Sequence, residues 1–95
     1  MNEEAEKMTE SVEKKKIGKI SHYYGKIGVA VIDLEDTLSV GDTIEISGPA
    51  TNVTQTVDSM QIEHENVQQA KKGQSIGMKV NDRVRENDVV YKIIG

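Results

Sequence analysis

Residues 24–34 read YGKIGVAVIDL, and their apolar spacing indicates the fold class directly. Ile27, Val29 and Val31 recur at every second position, so they share one face of an extended chain. Successive side chains of a β-strand point to opposite faces, and this row therefore predicts a strand whose buried side carries these three residues. The first three residues, YGK, are short enough to turn the chain as a hairpin.

Later segments repeat this alternation of apolar and other residues. The apolar rows are Ile44 and Ile46, then Ile76, Met78 and Val80, then Val89, Tyr91 and Ile93. Residues 53–62 break the pattern, because their two valines share one face whereas Met60 and Ile62 belong to the other. This slip predicts either a β-bulge near Ser59 or the end of one strand and the start of another.

Short polar turns separate these rows. Residues 48–52, GPATN, are expected to form one of them, because Pro49 cannot pair within a central strand. Three other strands each follow a triplet in which Gly or Asn precedes a polar residue. These triplets are Val40-Gly41-Asp42, Lys72-Gly73-Gln74 and Glu86-Asn87-Asp88. Gly and Asn tolerate a positive φ angle, so each triplet predicts a turn.

The chain of 95 residues is long enough for one domain. Because it contains no Phe or Trp, its core is expected to consist of Ile, Val, Leu, Met and Ala. Five or six short strands without a long helical pattern predict an all-β fold, a small closed β-barrel over residues 17–95. Residues 1–16 are predicted to be a charged, flexible and mostly disordered tail, with a short docked helix as the alternative.

The formal net charge is −4, from 16 acidic and 12 basic residues. This acid excess argues against generic adhesion to nucleic acid or to anionic membranes, so any polyanion would have to meet a local basic patch. No apolar run approaches the roughly 20 residues of a transmembrane helix, and the N-terminus lacks the pattern of a secretory signal. We therefore expect a cytoplasmic protein that does not contact a membrane.

The residue types present do not predict an enzyme. The absence of Cys excludes a thiol nucleophile, a thiolate zinc site and a disulfide framework. The phosphate-binding pattern GxxxxGK[ST] is also missing, so no nucleotide is expected. His22 and His64 are too few to hold zinc without carboxylate ligands, and no serine has a nucleophile elbow around it. We expect no cofactor and no metal.

Two short segments are candidates for contacting a partner. Residues 21–26, SHYYGK, combine two aromatic rings, which can stack on bases, with a cation that can bind phosphate. The alternative is that one tyrosine caps the end of the barrel while the other lies on the surface or in a protein interface. Residues 70–73, AKKG, form a basic turn whose alternative is ordinary solvation. The candidate contact residues are His22, Tyr23, Tyr24, Lys26, Lys71 and Lys72.

Three segments resemble the second domain of elongation factor Tu-like translation factors: residues 38–44 (LSVGDTI), 57–62 (VDSMQI) and 70–77 (AKKGQSIG). The pieces YGKIGVAV and SMQIEH are similar to small stand-alone translation factor-like proteins. They are also similar to the C-terminal barrel of U32-type peptidases and their RNA-modifying relatives. The resemblance covers nearly all of residues 17–95 and implies a closed six-stranded Greek-key barrel. The GTPase domain of the large factors is absent, so the resemblance does not extend to GTP hydrolysis.

These observations predict a non-catalytic module that docks onto translation-related RNA or a ribonucleoprotein, such as a ribosome or tRNA complex. The alternative is a protein–protein adaptor that acts in trans with a U32 peptidase-like or RNA-modifying enzyme, or with a GTPase. An adaptor would use Gly28, Ala30 and Gly77, which are expected on outward strand faces where a partner backbone can approach. A small hydrolase ranks third, because it needs a pocket with convergent polar groups.

Overall fold

The computed structural model describes residues 13–94, and these contain ten β-strands. The strands are β1 (Lys14–Tyr24), β2 (Val29–Leu34), β3 (Leu38–Ser39), β4 (Thr43–Gly48), β5 (Thr51–Thr56), β6 (Met60–Ile62), β7 (Glu65–Val67), β8 (Gln69–Ala70), β9 (Ser75–Lys79) and β10 (Val89–Ile93). The first strand begins within the predicted tail, because Lys14–Lys16 pair with Tyr91–Ile93 of β10. Residues 1–12 of that predicted tail lie outside the described residues.

Residues 13–94 contain strands and no helix, which confirms the predicted all-β class. The strand pairs among these residues are antiparallel. Eight strands form one sheet in the order β5-β4-β10-β1-β2-β9-β6-β7, and β3 pairs with β8 in a second, two-stranded sheet. Over residues 13–94, no helix is long and apolar enough to cross a membrane.

The closed six-stranded barrel is not found. Within the described residues the main sheet has eight strands, and its ladder ends at β5 on one side and at β7 on the other. Where a closed barrel would join its strands by backbone hydrogen bonds, a side chain forms the hydrogen bonds instead. Gln55 of β5 donates from Nε2 to the Lys79 carbonyl (3.0 Å) and accepts at Oε1 from the Asn81 N–H (2.7 Å). The end of β5 is thus connected to the end of β9 by one amide group, and the backbone there does not pair.

The core is built from the aliphatic residue types that the composition predicts. Its largest fully buried side chains are Ile17, Ile20, Ile32, Leu38, Ile44, Ile46, Met60, Ile76, Val57, Val84 and Val90. The Ile44 and Ile76 rows face this core as expected.

The face of β2 predicted to be buried is the outer one. Ala30, Ile32 and Leu34 point into the core, whereas the two valines of β2 are half-buried on the opposite face. Asp33 lies in the same row as those valines, and burying its carboxylate without a partner would be costly. The charge therefore fixes which face is outside. Ala30, expected on the outward face, is a core residue.

β1 contains two bulges, and the first of them explains why its isoleucines are out of phase. The register with β10 shifts between Val90 and Tyr91, which leaves Ile17 as the extra residue of β1. The register with β2 shifts between Ile20 and His22. A bulge rotates the side chains that follow it, so Ile17 and Ile20 both reach the core. In β10 the buried residue is Val90, and the alternate row predicted to be buried is only partly covered.

Residues 53–62 contain the end of one strand and the start of the next. β5 ends at Thr56 and β6 begins at Met60. Ser59 therefore lies between two strands, and the alternative of a bulge at this residue is wrong.

Three of the predicted turns share one hydrogen-bonding geometry. Gly41, Gly73 and Asn87 have positive φ angles of 98°, 90° and 74°. In each turn, the residue after the positive-φ position accepts a hydrogen bond at its side-chain oxygen. The donor is the backbone N–H of the residue three positions before it in the chain. The pairs are Ser39 to Asp42 (2.9 Å), Lys71 to Gln74 (2.8 Å) and Arg85 to Asp88 (2.8 Å). The triplets noted in the sequence are therefore one structural turn used three times.

Candidate functional site

The outer face of the main sheet carries an open apolar groove of about 410 Å³. Gly77 of β9 lies among its lining residues, beside Val29 and Val31 on the outer face of β2. The hairpin turn between β1 and β2 and the turn between β6 and β7 also border it. We call this the outer groove and define it by Tyr24, Ile27, Val29, Val31 and Gly77 together with the Glu63–His64 turn.

Two large side chains of the outer groove remain accessible to solvent. Ile27 is 59% exposed and Tyr24 is 49% exposed. Single exposed apolar residues are common, but here they adjoin two half-buried valines and a glycine in one depression. Together these residues form one small apolar depression on the outer face of the sheet.

Gly77 gives the outer groove its depth. It pairs with Val31 of β2 and with Gln61 of β6, so it lies between two strands that both carry side chains. A Cβ atom at this position would lie 3.6 Å from Val29 Cγ1, an ordinary van der Waals distance. Packing within the domain therefore does not require glycine. Of the positions expected to face outward, Gly77 does so, whereas Gly28 lies in the hairpin turn with a φ of 68°.

The turn between β6 and β7 has an unfavourable sequence for its geometry. Glu63 and His64 join strands whose last pair is Ile62 with Glu65, and both turn residues have positive φ angles, 51° and 70°. A two-residue hairpin with two positive φ angles is a type I′ turn, which favours Asn-Gly. Side chains with a Cβ are strained in this region. The chain thus maintains a strained, charged turn at the border of the outer groove.

Charged side chains lie along the outer face of β9 and its neighbours, and of these Glu63 lines the outer groove itself. Glu63 lies near the Ser75 end of β9, because Gln61 pairs with Gly77 and the strands are antiparallel. Asp33 pairs with Ser75 and accepts a hydrogen bond from its hydroxyl (2.7 Å). At the other end of β9, Lys79 pairs with Val29. Glu63 and Lys79 form no salt bridge with any described residue.

The predicted aromatic segment is divided between two faces. Tyr24 lines the outer groove, and the His22 ring packs edge-on against it with ring centroids 4.3 Å apart. His22 Nδ1 also lies 3.2 Å from Glu86 Oε2. Tyr23 points the other way and packs against the core. The tyrosines are adjacent in sequence, but the strand alternation prevents them from forming a single stacking surface.

The predicted basic residues do not converge. Lys26 lies in the hairpin turn that precedes β2. Lys71 and Lys72 are exposed in the turn before β9, where the Gly73 N–H donates to the Leu34 carbonyl at the far end of β2 (2.9 Å). The six residues of β2 separate the two turns by about 17 Å at 3.3 Å per residue. Lys26 therefore lies at one end of the sheet and the two other lysines at the opposite end.

A second, more polar groove of about 520 Å³ lies beside Tyr23. Its lining includes Arg83 and Arg85, which were not among the predicted contact residues. Both are exposed, and neither forms a salt bridge with a described residue. The Arg-Val-Arg spacing was the available signal, because two arginines on either side of a buried valine point outward from the same segment.

The lysines at the start of β1 are paired with acids. Salt bridges join Lys14 to Glu45 (3.2 Å) and Lys15 to Asp36. The hydrogen bond from Lys15, followed by the one from the Thr37 N–H, lowers the pKa of Asp36 below its ordinary value. Positive charge at this end is therefore largely matched by negative charge. The unpaired arginines lie at the Tyr23 end.

Residues 13–94 contain no group of three or more His, Cys, Asp or Glu side chains that could hold a metal ion. In the outer groove the Ser75 hydroxyl donates to Asp33 and not to a histidine.

Comparison with known proteins identifies the family. Residues 12–90 match the family model of the peptidase family U32 C-terminal domain. An uncharacterized protease of Methanocaldococcus jannaschii is 49% identical over 76 residues, which are 79% of this chain and 19% of that protein. A collagenase of Porphyromonas gingivalis is 38% identical over 78 residues, 80% of this chain and 22% of that protein. The chain thus spans about a fifth of the length of these relatives.

A solved structure shows the same fold. The crystal structure of the C-terminal domain of a Geobacillus thermoleovorans protein assigned to the U32 peptidases superposes with a TM-score of 0.77 at 22% identity. The match covers 82% of this chain and 91% of that one. Of the resemblances noted in the sequence, the comparisons support the one to the U32 C-terminal domain and give no support for identity with the elongation factor domain. The chain belongs to the peptidase family U32 C-terminal domain family.

Proposed function

We propose that this chain is a non-catalytic module that binds protein and serves a U32-type catalytic domain. Family membership supports the link to U32 proteins. The matched region is about a fifth of the length of the named relatives, which leaves the larger part of those proteins for a separate catalytic domain. Those relatives are named as a protease and as a collagenase. The catalytic domain that the module serves is accordingly proposed to act on protein, and the module to supply a contact surface.

The single observation that carries this proposal is the outer groove. Its exposed Ile27 and Tyr24 cost solubility and contribute no core packing, because the core lies on the other side of the sheet. A partner that covers these two side chains removes their apolar area from water, which is favourable. The absence of converging nucleophile, base and metal ligands on the described residues favours binding over catalysis.

The test uses a U32-type protein truncated so that it lacks the region matching this chain. We expect the full chain to bind this truncated protein in isothermal titration calorimetry with a negative heat-capacity change, which is the signature of apolar burial. Circular dichroism of the truncated protein provides the control for its folding. If a folded catalytic domain gives no heat of binding at any temperature, the proposal is wrong.

A second candidate function is docking onto RNA, and the polar groove beside Tyr23 favours it. Arg83 and Arg85 add unpaired positive charge next to an aromatic ring, which is a combination used for single-stranded nucleic acid. The test is binding of a single-stranded RNA over a salt series. Contacts from the two arginines predict that the logarithm of the binding constant falls with the logarithm of salt concentration with a slope of roughly −1 to −2, and Arg83→Gln should reduce the magnitude of this slope by about 0.7. Absence of binding at low salt would eliminate this candidate.

A further inference from the structure

We propose that the outer groove binds an extended peptide segment of the partner, with a cation at one end, an anion at the other and aliphatic side chains between them. This inference rests on the proposed function, because it names the feature that the module recognises.

The shape suits an extended chain. On β9 the outer groove is lined from Ser75 to Gly77, and Lys79 follows two residues farther along the same face. This face of β9 from Ser75 to Lys79 is about 13 Å long at 3.3 Å per residue. Alternate side chains of an extended peptide lie about 7 Å apart on one face, so three of them span this length. Gly77 lies at the midpoint, and the missing side chain leaves room for a middle side chain of the peptide against Val31.

The charges indicate what the ends of the peptide must carry. Glu63 and Asp33 lie at the Ser75 end, and Lys79 lies at the other. A peptide with a lysine at one end and a glutamate at the other, separated by apolar groups, matches both ends. Opposite charges across an interface determine orientation more than they add affinity.

The strained turn indicates that the charges are there for a reason other than folding. Asn-Gly would form the same turn with less strain, yet the sequence has Glu63 and His64 at its two positive φ angles. Strained residues tend to occur at binding sites, where a contact compensates for them. The Glu63 carboxylate borders the outer groove and has no salt-bridge partner among the described residues.

The test is an NMR titration of the full chain, labelled with ¹⁵N, with the peptide acetyl-KTVTE-amide. In this probe the lysine, valine and glutamate share one face, and the threonines share the other. We expect amide shifts at Gly77 and Val31, with saturation at millimolar peptide. The peptide acetyl-KTSTE-amide, in which serine replaces the central valine, provides the control and should shift these resonances little.

Two variants separate binding from folding. Gly77→Val fills the groove while its Cβ lies at an ordinary distance from Val29, so the variant should fold and lose about tenfold or more in peptide affinity. Glu63→Gln keeps the turn and removes the negative charge that is proposed to face the lysine of the peptide. Because this ion pair would be exposed, the variant should lose about two- to fivefold in peptide affinity. Unfolding curves for both variants verify that each is folded.

Three outcomes would overturn the inference: no shifts at millimolar peptide, shifts confined to Tyr23 and Arg85, or equal affinity in folded Gly77→Val. Dilution-dependent shifts at Gly77 without peptide would identify a second copy as the occupant, and shifts there with oligouridylate would identify RNA. Either result also overturns it. Calorimetric binding of a U32 catalytic domain that is unaffected by Gly77→Val would leave the proposed function standing and refute this inference alone.

Discussion

Replacing the Glu63–His64 turn by Asn-Gly should stabilise the domain. Both residues have positive φ angles, 51° and 70°. A left-handed conformation costs an ordinary residue about 1–2 kcal/mol, and somewhat less for His. Asn and Gly relieve most of this strain. Glycine also destabilises the folded state by about 0.5–1 kcal/mol, because it gives the unfolded chain more conformational freedom. The expected net gain in the free energy of unfolding is about 1–2 kcal/mol.

Urea unfolding of the double variant Glu63→Asn/His64→Gly measures this gain. The midpoint should rise with an unchanged m-value, and the Tm should rise by about 4–8 °C for each kcal/mol in a domain of this size. Glu63→Gln is the matched control, because it removes the charge but keeps a strained side chain, so its stability should equal that of the original. A double variant of equal or lower stability would show that the turn is not strained and would refute this reasoning.

Three further predictions concern turns and charges. Gly48→Ala should lower the free energy of unfolding by about 2 kcal/mol, because the added Cβ would overlap the Asp88 carboxylate; urea unfolding measures this. Gly41→Ala should cost about 1 kcal/mol, because its φ is 98° although the space around it is open; the same assay applies. NMR titration should give Asp36 a pKa below the ordinary 3.8, and Lys15→Gln should raise it. The corresponding stability is present above pH 3.8 and is lost as the pH falls through the lowered pKa.

The sequence predicts the all-β class and the turns well, because the alternation of apolar residues and the turn residues are local signals. The triplets ending in Asp42, Gln74 and Asp88 each carry their own turn chemistry, and all three turns form. Closure into a barrel was not predictable in this way. It depends on whether β5 reaches a backbone partner, and a side-chain amide of Gln55 connects it instead.

The site was predicted less completely, since both faces of β2 are apolar and a row of valines does not say which face is buried. The carboxylate of Asp33 in that row was the signal for the outer face. Arg83 and Arg85 belong to a segment without regular strand structure, so alternation could not place them beside Tyr23. The strained geometry at Glu63 and His64 has no signal in the sequence, because the residues are unusual for the turn they form.

Cross-saturation NMR tests most directly whether a protein partner covers the outer groove. The full chain, deuterated and labelled with ¹⁵N, is mixed with an unlabelled U32 catalytic domain, and saturation is transferred from the partner to the nearest amides. We expect the largest losses of intensity at Val29, Val31 and Gly77. Losses confined to the region of Tyr23 and Arg85, or losses spread evenly over the sheet, would contradict it.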